Sequence, residues 1–174
     1  RKFGGLDIVV SNAGMFPKSA TIAELEDEVW RRTIDVNLTS NHYLFKACAP
    51  YLELGFDSAI VVVASKNVPA PGPGAAAYSA SKAGVVLLTK NLAIALAPYN
   101  IHVNAIAPGV FKTALNEKVL VGERLDRIIG KTPLRRLGRV EEIAGTAIYL
   151  ASKASDFVTG TVISVDGGFL AWGI

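Results

Sequence analysis

This sequence of 174 residues has one cysteine and no long apolar run, which argues against a disulfide-stabilised protein and against a membrane-spanning one. The single cysteine, Cys48, lies among apolar residues of a predicted helix, so the chain can hold neither an internal disulfide nor a cysteine metal cluster. We expect no metal site. A lone thiol in an apolar setting is typical of a reducing compartment, which predicts a cytoplasmic location.

Runs of about 18 uninterrupted apolar residues, the length that a membrane-spanning helix needs, do not occur. Residues 1–6 do not form a hydrophobic signal segment. From both observations we expect no membrane partner.

Basic side chains only slightly outnumber acidic ones: 18 basic and 15 acidic side chains leave a net charge of +3. The basic residues concentrate in one stretch, where acidic neighbours dilute them: Arg124, Arg127, Lys131, Arg135, Arg136 and Arg139. Without interleaved aromatic residues, this stretch is typical of a solvated helical surface, and we expect no nucleic-acid partner. A site for an acidic substrate stays open.

Apolar sequence is plentiful enough for one folded domain. Apolar residues make up 51% and charged residues 19% of the chain, a balance that fits the buried strands and helices of an α/β protein. A chain of 174 residues is long enough for one sizeable hydrophobic core but too short for two. We predict a single domain over residues 1–174.

Short apolar segments alternate with helical patterns along the chain. Strands are predicted at residues 6–10, 59–64, 102–107 and 161–165. Helices are predicted at residues 23–52, 78–97, 113–129 and 140–151. Thr21 and Glu24 form a capping box before the first helix. The order βαβαβααβ predicts an α/β fold, a doubly wound, Rossmann-like parallel sheet with helices on both faces.

Tyr78 and Lys82 lie four residues apart on a predicted helix, and therefore on the same face. A phenol has a pKa of about 10, and a nearby cation would move the pKa of Tyr78 toward neutral pH, where it could exchange a proton with a substrate oxygen. Such a pair also arises by chance in surface helices. However, Ser65 follows a predicted strand 13 residues earlier, at the carboxyl edge where parallel sheets bind ligands.

Five segments in this order make the chain resemble the short-chain dehydrogenase/reductase family over nearly its whole length. Residues 11–14 (Ser-Asn-Ala-Gly) resemble the family's Asn-Asn-Ala-Gly turn, and residues 35–38 (Asp-Val-Asn-Leu) its helix motif with an active-site Asn. Ser65, Tyr78 and Lys82 match the rest of its catalytic set. Residues 103–109 (Val-Asn-Ala-Ile-Ala-Pro-Gly) and 165–168 (Val-Asp-Gly-Gly) match its later signatures.

The resemblance implies an NAD- or NADP-dependent oxidoreductase that moves hydride between nicotinamide and a small-molecule secondary alcohol or ketone. It implies that Tyr78 is the general acid/base, that Ser65 hydrogen-bonds the reacting oxygen, and that Lys82 lowers the phenol pKa and holds the nicotinamide ribose. Asn37 would anchor a water in the proton relay. By itself, Asn37 could also be an ordinary buried Asn that bonds to neighbouring backbone.

The same resemblance implies two further cofactor-binding segments beside Tyr78 and Lys82. Asn12, Ala13 and Gly14 would line the adenosine side, and a second set would approach the nicotinamide and phosphates: Pro108, Gly109, Val110 and Thr113. Ser11 departs from the family's usual first Asn, but a serine keeps a donor and an acceptor. Taken alone, either segment could be a bare turn.

One family element does not occur in the sequence. The family holds the pyrophosphate with a Gly-x-x-x-Gly-x-Gly turn and the helix behind it, and residues 1–174 contain no such turn. By the family's order, the chain supplies about the last four strands, and we expect about 70 to 90 further residues before it. Its first strand would then be a sheet edge. The alternative is a catalytically incompetent fragment, and we expect residues 1–174 alone to be inactive.

The tail at residues 165–173 resembles that of gluconate and other sugar-acid dehydrogenases, which predicts a sugar acid or polyol as substrate. The 3-oxoacyl-[acyl-carrier-protein] reductases are the alternative. The resemblance also implies a homodimer or homotetramer, because the helices around Asn37 and Tyr78 commonly form subunit contacts in the family. His42 and His102 match no family motif and are interpreted as packing residues.

Overall fold

A computed structural model describes residues 4–113, 116–117 and 120–171. Within these residues, four parallel strands form one sheet in chain order: β1 Ile8–Ser11, β2 Ala59–Val63, β3 His102–Pro108 and β4 Val162–Val165. Every strand is short, β-branched or apolar, and separated from the next by at least one helix, which is why neighbouring strands run parallel. The predicted parallel sheet is confirmed.

The two outer strands of this sheet are β1 and β4. Ile8 and Val10 of β1 are about half exposed, whereas the residues of β2 are almost fully buried. The expectation that the first strand lies at a sheet edge is therefore confirmed for the described residues.

The helix predicted over residues 23–52 is divided by a π-helical turn. α1 spans Asp27–Ile34, the π-turn spans Asp35–Thr39, and α2 spans Ser40–Leu52. In the turn, the main-chain N–H of Ser40 donates to the carbonyl of Asp35, five residues back instead of the four of an α-helix. The extra residue displaces Asn37 from ordinary helical register.

The predicted capping box does not begin α1. Glu24 Oε2 accepts a hydrogen bond from Thr21 Oγ1 at 2.8 Å, but the two residues close a turn before the helix. Glu26 has extended backbone angles (φ −63°, ψ 136°), so it interrupts the helical path and becomes the N-cap residue itself. Because Glu26 is the N-cap residue, the prediction that the helix begins at residue 23 is wrong.

The remaining helices are α3 Ala76–Leu96, α4 Gly122–Gly130 and α5 Glu141–Leu150. The predictions for α3 and α5 are confirmed to within two residues. Part of the helix predicted over residues 113–129, at residues 114, 115, 118 and 119, lies outside the described residues, and the described helix there begins only at Gly122.

Two apolar clusters cover the two faces of the sheet. On one face, Ile60 and Val62 of β2 pack with Val85 of α3. On the other, Val61 of the same strand packs with Leu150 of α5. Alternate residues of β2 thus point to opposite layers, which confirms the helices predicted on both faces.

The segment Ala76–Tyr99, which contains α3, is long and apolar enough by length and composition to cross a membrane. One side of α3 buries Lys82, Val85 and Ala93 within the fold. A helix that packs on a sheet passes the same test of composition. The packing of α3 on the sheet places its first turn, which contains Tyr78, near the carboxyl end of β2.

Candidate functional site

Predicted site residues lie where β1, β2 and β3 end. Asn12 directly follows β1, Ser65 comes two residues after β2, and Pro108 ends β3. The ladder between β2 and β3 continues past the end of β2, because the N–H of Lys66 donates to the carbonyl of Pro108 at 3.1 Å. Ser65 therefore stands between the two predicted cofactor segments, at the edge where parallel sheets bind ligands.

The side chains of Tyr78 and Ser65 lie close enough to each other for the Ser65 hydroxyl to influence the pKa of the phenol. Ser65 is buried, and its Oγ also accepts a hydrogen bond from the main-chain N–H of Asn67 at 3.1 Å. The ring of Phe16 packs on the other side of Tyr78, with ring centroids 4.6 Å apart. Burial raises the pKa of Tyr78, and the nearby Ser65 hydroxyl opposes that rise. Tyr78 is therefore a neutral phenol at physiological pH.

Lys82 lies one turn further along α3 and is only 5% exposed. Its Nζ donates to the carbonyl of Val63, the last residue of β2, at 2.7 Å. Burial lowers the pKa of Lys82 to about 8. Lys82 is not among the causes of the pKa shift of Tyr78 in this structure. That Lys82 lowers the phenol pKa stays a prediction.

Asn37 lies in the π-turn and is fully buried. Its Oδ1 accepts from the N–H of Met15 at 2.7 Å, and its Nδ2 donates to the carbonyl of Met15 and to Ser81 Oγ, each at 3.0 Å. Ser81 donates in turn to the main-chain carbonyl of Tyr78 at 2.7 Å. Asn37 thus ties the segment after β1 to the first turn of α3. That Asn37 anchors a water stays a prediction.

The first predicted cofactor segment, Asn12, Ala13 and Gly14, is an exposed turn. A β-carbon added to Gly14 would lie 3.4 Å from both Lys82 Nζ and Asn37 Oδ1. The glycine therefore keeps a space of about one methyl group open beside an ammonium and a carboxamide. The structure brings this turn together with two of the predicted catalytic residues.

The second predicted cofactor segment follows β3. A β-carbon on Gly109 would lie 2.7 Å from the Cα of Asp166, so only a glycine permits this approach to the end of β4. Pro108, Gly109 and Val110 are partly exposed, and the N–H of Thr113 donates to Asn116 Oδ1 at 2.9 Å. The N–H of Gly109 donates to the carbonyl of Val165 at 2.9 Å, which holds the start of this segment at the sheet edge.

Sequence reasoning missed four residues that shape the site: Met15, Phe16, Ser81 and Asn41, whose Nδ2 donates to the carbonyl of Asn37 at 2.7 Å. Met15 and Phe16 directly follow the Asn12–Gly14 turn, and that adjacency could have drawn attention to them. The contact between Asn37 and Ser81 spans 44 residues of sequence, so no local pattern indicates it. Asn41 lies four residues after Asn37, a helical spacing that could have suggested a shared face.

Comparison with known proteins gives matches over almost the whole chain. A family model described as Enoyl-(Acyl carrier protein) reductase matches residues 1–170. Human dehydrogenase/reductase SDR family member 4 is 37% identical over 166 residues, covering 95% of this chain and 60% of that protein. The 3-oxoacyl-[acyl-carrier-protein] reductase FabG of Thermotoga maritima is 38% identical over 170 residues, covering 98% of this chain and 68% of the relative.

The chain thus spans 60% of the length of the human relative. Among solved structures, a gluconate 5-dehydrogenase from Burkholderia cenocepacia, in complex with NADP and tartrate, superposes with a TM-score of 0.92. It is 36% identical, and the match covers 97% of this chain and 66% of that chain. The sheet and its helices are therefore shared with a dehydrogenase of known structure.

Proposed function

Because the chain belongs to the short-chain dehydrogenase/reductase family of oxidoreductases, we propose that it transfers hydride between NAD(P) and a secondary alcohol or ketone. The observation that carries this proposal is the convergence of three side chains at one sheet edge. The Ser65 hydroxyl lies near the Tyr78 phenol, and Lys82 is buried one helical turn away. A phenol, a hydroxyl and an ammonium so placed suit proton transfer to or from an oxygen.

Tyr78 is the group that passes the proton in this proposal. As a neutral phenol, Tyr78 donates its proton to the carbonyl oxygen when a ketone is reduced, and it is left as a phenolate. When an alcohol is oxidised, the phenolate form takes the proton from the hydroxyl group. Ser65, held by the N–H of Asn67, orients the same oxygen and stabilises the charge that develops on it. A bound nicotinamide would supply or accept the hydride.

The described residues fit the nicotinamide-ribose part of NAD(P). Gly14 leaves space beside Lys82, and an ammonium that gives one hydrogen to Val63 keeps two for ribose hydroxyls. The pyrophosphate part needs backbone donors of a glycine-rich turn, which residues 1–174 do not contain. We therefore propose that a polypeptide of residues 1–174 alone is inactive, and NAD(P)H titration with an activity assay tests it. Micromolar affinity with turnover would refute this.

As substrate we propose a sugar acid or polyol. The tail at residues 165–173, in sequence, resembles that of sugar-acid dehydrogenases, and a gluconate 5-dehydrogenase is among the similar structures. A second candidate, reduction of a 3-oxoacyl thioester, is favoured by the Thermotoga maritima relative at 38% identity. An assay with both substrate classes separates the two candidates.

The experiment is a panel of aldonates, polyols and acetoacetyl thioesters, each with NAD(H) and NADP(H), on the complete natural protein that contains this chain. A kcat/KM for an aldonate or polyol about tenfold above that for the thioester would support the sugar substrate. Activity confined to the thioester would favour the second candidate. Failure to bind or use either cofactor would contradict the oxidoreductase mechanism.

We also propose a homodimer or homotetramer that works in the cytoplasm. α2 and α3 expose large apolar side chains, including Tyr43 (65%), Leu87 (67%) and Ile94 (77%), which subunit contacts would cover. Light scattering at micromolar concentration tests the assembly, and a monomeric mass would count against it. The cytoplasmic location is supported by the lone thiol of Cys48 and is tested by cell fractionation.

A further inference from the structure

Ser11 and Asn41 form a buried hydrogen bond that the proposed mechanism does not use. Ser11 ends β1, and Asn41 lies in the first turn of α2. Ser11 Oγ donates to Asn41 Oδ1 at 2.6 Å, and the residues are 8% and 3% exposed. A short bond between two buried neutral groups fixes the end of β1 against α2.

The amide nitrogen of Asn41 reaches back to the π-turn. Its Nδ2 donates to the main-chain carbonyl of Asn37 at 2.7 Å. In the same way, Ser40 Oγ donates to the carbonyl of Val36 at 2.7 Å. Side chains of α2 thus hold two successive carbonyls of the π-turn, where main-chain hydrogen bonding departs from the α-helical pattern.

Asn37 and Asn41 together hold the Asn12–Gly14 turn at both of its ends. At the start of the turn, Asn41 accepts the hydroxyl of Ser11. At its end, Asn37 binds the N–H and the carbonyl of Met15 through its two amide atoms. The anchors are buried, whereas the three residues between them are exposed. Such a turn can meet a ligand in a conformation that is already set.

We propose that Asn41, paired with Ser11, is a positioning residue that holds the Asn12–Gly14 turn in the conformation that binds NAD(P). The inference rests on the proposed function for the identity of the ligand. Asn41 acts only through Ser11 and Asn37. Since loss of either partner leaves a buried polar atom of the other without a hydrogen bond, Ser11 and Asn41 should behave as one unit.

The test uses Ser11→Ala, Asn41→Leu and the double variant in the complete natural protein. Ser11→Thr keeps the hydroxyl and serves as the rescue variant. Two matched controls lie on the surface: Ser152→Ala removes an exposed hydroxyl that donates to the carbonyl of Tyr149, and Asn91→Leu changes an exposed residue of α3. Hydrogen exchange of residues 12–15 without cofactor, the Kd for NAD(P)H by fluorescence, and kcat are measured for each.

We expect Ser11→Ala and Asn41→Leu each to speed exchange in residues 12–15 and to raise the Kd for NAD(P)H by about fivefold to thirtyfold. The kcat at saturating cofactor should fall by less than about threefold, because Ser65 and Tyr78 are not disturbed. The double variant should resemble the single variants, and Ser11→Thr should stay within about twofold of the unaltered enzyme.

Unchanged exchange in Ser11→Ala would overturn the proposal, even if Asn41→Leu fails to fold. Faster hydrogen exchange of residues 12–15 without a change in the Kd for NAD(P)H would also overturn it. Ser11 and Asn41 would then hold the turn without affecting cofactor binding. Fully additive losses in the double variant would show that the residues do not act as a pair. If the unaltered enzyme itself binds no NAD(P)H, the proposed function fails, an outcome that none of the other results produces.

Discussion

The polar groups at the carboxyl edge of the sheet and those on the surface beside α5 are held in different ways. Lys82 is buried, and its pKa falls to about 8 because burial disfavours its charge. Glu142, at the protein surface, bonds to Arg136 at 2.7 Å and to the main-chain N–H of Arg139 at 2.8 Å. These donors lower the pKa of Glu142 to about 2.

The two shifts have opposite meanings. At Glu142, nearby hydrogen-bond donors favour the ionised carboxylate. Because this side chain lies at the solvent-exposed surface, its ion pairs add little to stability. At Lys82, the fold disfavours the charged form, so the burial of this lysine costs stability. A costly buried cation beside a phenol and an open glycine turn is the pattern expected of a functional site, and the ion pairs of Glu142 carry no such cost.

The largest expected effect is that of Tyr78→Phe. Phe keeps the packing on Phe16 and removes only the phenolic oxygen, so kcat should fall by about 10² to 10⁴ with little change in Tm. Steady-state kinetics on the natural enzyme, with circular dichroism as the folding control, would measure this. Turnover near that of the unaltered enzyme would remove Tyr78 from its proposed role.

A second effect concerns stability and Lys82. Its pKa is about 8 in the folded protein and near 10.5 in an unfolded chain, so between these values the unfolded state binds more protons. The cost of burying Lys82 is complete below pH 8 and is relieved as pH rises. Relative to Lys82→Met, the free energy of unfolding should therefore rise by about 2 kcal/mol from pH 7 to 9.5.

Urea unfolding of both proteins at several pH values would measure that difference. The range stays below pH 10, because the raised pKa of Tyr78 adds a destabilising effect above it. A difference that is constant from pH 7 to 9.5 would show that Lys82 is not desolvated as the structure indicates.

Gly14→Ala should have a smaller, local effect. The added methyl group would make ordinary contact with Lys82 and Asn37, so Tm should hardly change. Because it fills the space proposed for the cofactor ribose, the Kd for NAD(P)H should rise by about fivefold. Gly145→Ala in α5 is the control, since nothing lies within 4 Å of the new β-carbon and Kd should not move. An equal Kd in both variants would place the cofactor elsewhere.

Glu142→Gln should have the smallest effect. The side chain is at the surface, so we expect a slight decrease in Tm that fades in high salt, and no change in kcat. Its lowered pKa means that the stabilisation is present above the usual value of 4.5 and is lost as pH falls toward 2. Thermal melts in low and high salt would check this, and a large loss of kcat would contradict the contrast with Lys82.

Much of the fold follows from local pattern. The apolar run of β2 and the helical pattern of α3 each have a strong local signal, and both elements were predicted close to their observed bounds. The motif spacing likewise identified Ser65, Tyr78 and Lys82 as candidates for one site. The π-turn at residues 35–39 was not predictable, because the apolar spacing of Ile34 and Leu38 continues the helical pattern through it.

Sequence by itself determined the order of strands and helices, the family, and which side chains could exchange a proton. Only the tertiary structure decided their environment: burial raises the pKa of Tyr78, Lys82 bonds to Val63, and Asn41 pairs with Ser11 across 30 residues. The physical reason is the separation along the chain over which each effect acts. Periodicity and turn chemistry act over a few residues, whereas desolvation and long-range hydrogen bonds depend on segments that meet only after the chain has folded.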